Sequence, residues 1–366
     1  MYYYNSINKE NYASINIDKK TIRRVIVSCA VECKGSIEDI QAHLKNIFDI
    51  HISEGSISNI LTEAAGKAKV FNDSIPLDGI KIGVSDEIFQ AGSPVLVGVE
   101  PLSTYVYLMN SSEKRDSTAW WIAYSEKQEN QGLNIEESVT DGGSGMKKGI
   151  KETYENVHEQ YDIFHVLMKF TKAQNIYENK VYGLINAQYK CEKKLLKAKP
   201  KITQEQYEKA CEKCSTAIEK YDILKILIMW IHELLNSGGY SYEDRTELIN
   251  FILEELSQIG INSSYLDEAM KTLSSNKERL LYFVKKAEKL FLELSIKEGI
   301  SLDTLNLFWQ QYGINSSKNK YWILDSKLKS SLSNTYCKIK AEAAKILKTI
   351  VRCSSIVENI NSQIRP

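Results

Sequence analysis

No apolar run in this chain is long enough to cross a bilayer. The longest, LKILIMWIHELL (224 to 235), falls short of the roughly 20 residues that a spanning helix needs. The opening MYYYNSINKE has no basic start followed by an apolar stretch, so no secretory signal is expected there. Charge of one sign is not in excess either. Lys+Arg and Asp+Glu both count 47, which leaves only local stripes to bind a polyanion. A zinc-ligand pattern is also wanting, because Cys211 and Cys214 form a CxxC with no second CxxC or paired His after it. Tyr207, Cys211, Cys214, Ile218 and Tyr221 recur at spacings of three and four, which reads as the packed stripe of a helix. The seven cysteines are odd in number and scattered, as expected of reduced thiols in a cytosol. These absences point to a soluble, cytoplasmic chain with no membrane partner.

What is present is globular in composition, with 43% hydrophobic and 26% charged residues, and 366 residues make two or three domains the expectation. Residues 19 to 68 read as three short helices. Ser36 and Asp39 offer a capping box before the apolar face Ile37, Ile40, Leu44 and Phe48, and Ser53 with Gly55 marks the start of the next helix. A short helix, a turn and a second helix fronted by Ser56, Ser58 and Asn59 is a helix-turn-helix arrangement for the major groove. Lys19, Lys20, Arg23 and Arg24 stand ready for phosphates beside it. A plain three-helix bundle explains the same pattern equally well.

From Ile80 the hydrophobic period switches to two. IKIGVSDEIF, PVLVGVEPLS and TYVYLMN read as strands, followed by a helix that Gly132 ends, the strand NIEESVT (134 to 140), the helix MKKGIKETYENV and a fifth strand or its end at QYDIFHV (160 to 166). Three antiparallel strands, then alternating helix and strand, is the order of an α/β, ribonuclease-H-like mixed sheet. Residues 170 to 335 read as all helical, with a lysine-rich stretch at KCEKKLLKAKPK (190 to 201). The last segment reads as one helix, with Ile346, Ile350, Cys353, Val357, Ile360 and Ile364 forming its apolar stripe. Ser354, Glu358, Asn361 and Arg365 make a polar line beside it. The domain expectation is 1–72 helix-turn-helix, 73–170 first part of the sheet core, 171–335 helical insertion and 336–366 final core helix.

Asp86 and Asp141 each sit where a strand-like run meets a turn, and Glu358 lies on the last helix. Three carboxylates repel one another, so they converge stably only if a cation neutralises them or protons are taken up. Two divalent ions roughly 4 Å apart, sharing such ligands, drive in-line displacement at a phosphodiester. Gly142, Gly143 and Gly145 allow a sharp turn and close approach of a phosphate after Asp141. Asp162 and His165 form a further acidic and polar pair.

In this order the segments SDEIFQAGSPVLVGVEP, RDSTAW, TDGGSGMKKGI, YDIFHV and SSIVENINSQIRP resemble the DDE transposases of bacterial insertion sequences, over nearly the whole chain. The resemblance implies a catalytic triad of Asp86, Asp141 and Glu358 binding two Mg2+ or Mn2+ ions. It further implies double-stranded DNA partners, both the element's terminal inverted repeats and a target, and a homo-oligomer, at least a dimer, acting at the nucleoid. Asp162-Ile-Phe-His165 looks like the signature of the Mutator-like and hAT groups, which also carry a helical insertion. His165 is counted with the catalytic residues, to donate to the scissile phosphate or orient a metal ligand, Asp162 and Arg365 are auxiliary candidates, and the similarity makes Trp309 or Trp322 candidates to stack on a flipped base. Related transposases continue beyond the catalytic helix, whereas Pro366 follows Glu358 by eight residues. The alternative expectation is therefore a catalytically inactive, truncated remnant that binds DNA.

Overall fold

Polar caps set the first three helices. α1 (Lys19–Val31) begins where the Asp18 carboxylate accepts from Thr21 N at 2.7 Å. α2 (Ile37–Phe48) carries the Ser36–Asp39 capping box, and α3 (Glu54–Asp73) starts at the Ser53 cap. Ile26, Ile40, Leu44 and Ile57 interlock as their core. The computed structural model describes residues 17–90, 92–197 and 199–364. These helices belong to a first unit that ends at Pro76, and a second unit runs from Leu77 to Arg365.

The second unit contains a five-stranded mixed sheet and a large body of helices, an α/β core. Its strands are β1 (Ile82–Gln90), β2 (Ser93–Val99), β3 (Val106–Ser111), β4 (Glu137–Thr140) and β5 (His158–Tyr161), in the spatial order β3-β2-β1-β4-β5. β1, β2 and β3 pair antiparallel, while β1 with β4 and β4 with β5 pair parallel. The parallel pairs need crossovers, and α4 (Ser117–Gln131) and α5 (Ser144–Thr153) supply them. Gly132 stops α4 in the left-handed conformation at φ 74°. Alternation along β1 divides the sheet's surroundings. Ser85 and Glu87 face α4, where they meet Tyr124 and Trp120. Val84 and Ile88 face the other way and pack with Val95, Val97, Val99, Val139 and Val357.

After β5 the chain is helical: α6 (Ile163–Leu195), α7 (Gln204–Asn236), α8 (Tyr242–Gln258), α9 (Ser264–Ser275), α10 (Lys277–Leu280), α11 (Tyr282–Glu298), α12 (Leu302–Gln311), α13 (Asn319–Leu332), α14 (Tyr336–Lys348) and α15 (Ser355–Ile364). A continuous apolar core from Tyr161 to Leu347 joins α6 to α14, while α15 packs on the sheet through Val357. The β5 edge is covered rather than open, since Gln160 donates to Leu280 O at 3.1 Å and accepts from Phe283 N at 2.9 Å.

Two expectations are corrected here. The segment YDIFHV is strand only as far as Tyr161; Asp162 caps α6, so His165 stands in a helix's first turn. The last helix is two helices, because the chain leaves the helical path between Thr349 and Ser354. Two contacts hold this break open: Arg352 O accepts from Ile163 N at 3.2 Å, and Ser354 N donates to Asp162 at 3.2 Å. Among the described residues no helix is long and apolar enough to cross a membrane.

Candidate functional site

The strand register carries the first carboxylates together. The last parallel pairs are Val84 with Val139 and Thr140 with Tyr161. Two residues on, Asp86 reaches the level of Asp141; one residue past Tyr161, Asp162 reaches the same level on the third strand. Adjacent strands lie roughly 4.8 Å apart, so three aspartates stand in a row, Asp141 and Asp162 just past the carboxyl ends of β4 and β5 and Asp86 in the middle of β1, which continues to Gln90 instead of turning at Asp86 as expected. In open α/β sheets that edge is where ligands bind.

Asp86 shares the face of Val84 and Ile88, toward α15. Its Oδ1 accepts from Glu87 N at 2.8 Å and its Oδ2 from Asn361 Nδ2 at 2.8 Å. Asn361 is buried and lies three positions after Glu358, so both project from one side of α15. Its Oδ1 has no partner among the described residues. Burial pushes the Asp86 carboxyl up to about 6, and the charges of Glu358 and Asp141 add to the rise. The Glu87 amide and the His165 charge oppose it. Segments up to 275 positions apart in sequence thus meet at this carboxylate.

Asp162 is fully buried and fully used. Its Oδ1 accepts from Phe164 N at 2.7 Å, and its Oδ2 accepts from His165 Nδ1 at 2.8 Å and from the Ser354 amide and hydroxyl. Burial alone would raise this carboxyl, but the bonds from His165 and Ser354 hold it below its ordinary range. The same bond raises the His165 imidazole, against the effect of burial, and Asp141 and Asp86 raise it further. With Nδ1 on Asp162, His165 keeps Nε2 for another partner.

A concave pocket of about 330 Å3 opens beside the row, lined by Asp86, Glu87, Asp141, Arg115 and the start of α5. Glu87 anchors its rim by accepting from Trp120 Nε1 at 3.0 Å and from Arg115 at 3.3 Å. Gly143, at the start of α5, donates its amide to Asp141 Oδ1 at 2.8 Å, and no side chain caps the helix at the pocket edge. Gly142 has φ +83°, and a Cβ there would meet the Tyr161 ring at 2.4 Å, so this turn requires glycine twice over.

The other sequence candidates scatter. Lys19, Lys20 and Arg24 are exposed on α1, whereas Arg23 is engaged by Glu63. Ser58 and Asn59 are exposed on α3, and the Ser56 hydroxyl lies 2.8 Å from that of Ser53. Trp309 is 4% exposed, edge-on to Phe283 and Phe291, so its stacking role is withdrawn: the ring is core. Trp322 is 56% exposed. Arg365 lies outside the described residues. Sequence reasoning passed over Arg115, Glu87 and Trp120, whose importance comes only from the α4 turn lying against β1.

The donor set suits a hard divalent cation, since the charges of Asp141 and Glu358 act on an Asp86 whose own ionised form is disfavoured. Among the described residues, however, no three of His, Cys, Asp or Glu are grouped as a ready-made metal cage. Magnesium requires few protein ligands and completes its shell with water and phosphate oxygens. No protein-family model matches this chain, and no curated protein matches it.

Proposed function

We propose that the chain is a DNA transposase with a ribonuclease-H-like core, cutting and joining DNA strands at the ends of a mobile element. The observation that carries this reading is the meeting of Asp86 with Asn361 at 2.8 Å, three positions after Glu358, together with the charges of Glu358 and Asp141 acting on Asp86. Mg2+ or Mn2+ held by Asp86, Asp141 and Glu358 would activate the attacking oxygen and stabilise the departing one. The protein's own groups do the rest. Asn361 fixes the Asp86 carboxylate, and the Asp162 bond raises the His165 imidazole and holds its Nδ1, leaving Nε2 to donate to a phosphate or leaving oxygen. Arg115 and the uncapped start of α5 offer positive charge to a phosphate in the pocket. α2 and α3 serve as the helix-turn-helix that reads the terminal repeats, and pairing of two ends makes the active form an oligomer.

The test is a metal-dependent nicking assay on duplex carrying the element's ends. Asp141→Asn is expected to lower nicking on the order of a thousandfold while leaving end binding intact. Undiminished nicking would remove the assigned role. A non-catalytic DNA-binding protein is the second reading, favoured by the absence, among the described residues, of a preformed three-ligand group. End binding without any nicking by the unaltered chain selects it.

A further inference from the structure

A second cavity, of about 650 Å3, lies in the helical body among the turn between α7 and α8, the loop after α12 and the start of α13. Its charged lining is Lys318, Lys320 and Arg352 against a single carboxylate, Glu233. None of the three cations makes an ion pair among the described residues. Arg352 spends one nitrogen on Asn236 O at 2.7 Å.

Directly behind the wall sits Arg245, with none of its surface exposed. It donates to Ser237 O at 2.6 Å and to Tyr240 O at 3.1 Å, both from residues that line the cavity, and its Nη1 has no partner among the described residues. The two guanidinium groups flank the Phe283 ring, at 5.6 and 5.8 Å from its centre. Burial lowers both, Arg245 to about 10, and the Arg352 charge lowers Arg245 further. Glu288 is the carboxylate whose charge reaches Arg245, and its oxygen is already committed to Tyr242 N at 2.8 Å.

Buried charge is ordinarily paired, because desolvating an ion costs several kcal/mol. The carbonyls at the end of α7 answer part of the demand, but a helix terminus carries only about half an elementary charge against two full cations. The start of α13 adds to the positive side, since Lys318 stands at its N-cap with no side-chain cap. Such a lining suits a compact, multiply charged anion.

We propose that this cavity is a phosphate-binding site, in which Lys318, Lys320 and Arg352 grip a phosphate group. The proposal is independent of the acidic site's chemistry. A phosphate reaches such a pocket either on a nucleic-acid backbone or on a free phosphorylated molecule, and the experiment separates these sources. The full chain is titrated with pyrophosphate by calorimetry, and with a labelled 30-base-pair duplex by anisotropy over a salt series. Both are repeated for Lys318→Gln/Lys320→Gln, for Arg352→Lys and for a control of equal charge loss, Lys190→Gln/Lys193→Gln.

Pyrophosphate binding weakened about tenfold by the pocket variants alone, with duplex binding unchanged, supports a free phosphorylated ligand. A fall of about two in the salt slope of duplex binding, in the double pocket variant and not in the control, supports a nucleic-acid phosphate. Equal losses in pocket and control variants, or no loss in either assay, overturn the site. Arg352→Lys retains charge but not the forked donor, so an intermediate loss in a folded variant separates recognition from misfolding.

Discussion

Asp86 and Asp325 are both enclosed carboxylates in the same unit, and their surroundings have opposite characters. Asp325, 3% exposed, accepts from Gln311 and Lys340, each within 3.1 Å, from the Tyr336 hydroxyl, and pairs with Lys329 at 2.8 Å. Burial alone would raise it, yet those donors hold it well below the ordinary carboxylate range. Asp86 has two neutral donors and two carboxylate neighbours, and its value moves up instead. Asp162 stands between them, satisfied by its own helix start, by His165 and by Ser354. A carboxylate whose donors outnumber its needs fixes structure; one left short of positive charge is poised for a ligand.

The largest effect expected from testing this contrast is at Asp325. Asp325→Asn should cost about 3 kcal/mol in urea unfolding, because Lys329 and Lys340 lose their counter-charge and an Nδ2 donor replaces one of the two acceptor oxygens. A loss near zero would mean that the half-exposed lysines turn to water and that the network is ornamental.

Asp162→Asn comes next, at about 2 kcal/mol, and its pH profile is the sharper readout. Asp162 is held below its ordinary 3.8, so its contribution is present above that pH and lost as pH falls through its native value. His165 is held above its ordinary 6.5, so its contribution is complete below that pH and lost as pH rises through its native value. The difference between the parent and Asp162→Asn should therefore peak between about pH 4 and 6.5 and shrink at higher pH. A difference that is flat from pH 4 to 9 would deny the pairing.

Asp86→Asn should act in the opposite direction, measured without divalent ions. A raised carboxyl gives stability below its ordinary 3.8 that is lost as pH rises through about 6. Asparagine never ionises, so the variant should melt about 2 °C higher than the parent at pH 7.5 and equally at pH 4. A lower melting temperature at pH 7.5 would show that the Asn361 bond matters more than the buried charge. The smallest effect is that of Glu358→Gln, which should lower the Asp86 titration midpoint seen by carbon NMR. An unmoved midpoint would detach Glu358 from the cluster.

Much of this was legible in residue order. The capping box at Ser36, the stop at Gly132 and the strands around Asp86 and Asp141 follow from local chemistry, and each lies where its pattern indicates. What local pattern could not provide was the interruption after Lys348. Ile346, Ile350, Cys353 and Val357 keep helical spacing straight through it, and only Asp162, 192 positions earlier in the chain, competes for Ser354. Arg245 was equally hidden, since a lone arginine in an amphipathic helix reads as solvated, and its enclosure by Tyr240, Phe283 and Trp309 is a tertiary fact.

The joint between Asp162 and Ser354 also turns the helices from Ile163 to Lys348 into one excursion whose two ends are tied together beside the sheet. Loosening anywhere in that excursion raises the entropy of keeping its ends together, though only logarithmically with the length released. α15, and Glu358 with it, sits just beyond the returning end. Swelling, cleavage or rigidification of a helical hairpin distant from the sheet would thus be felt as a change in how often the third acidic side chain is docked.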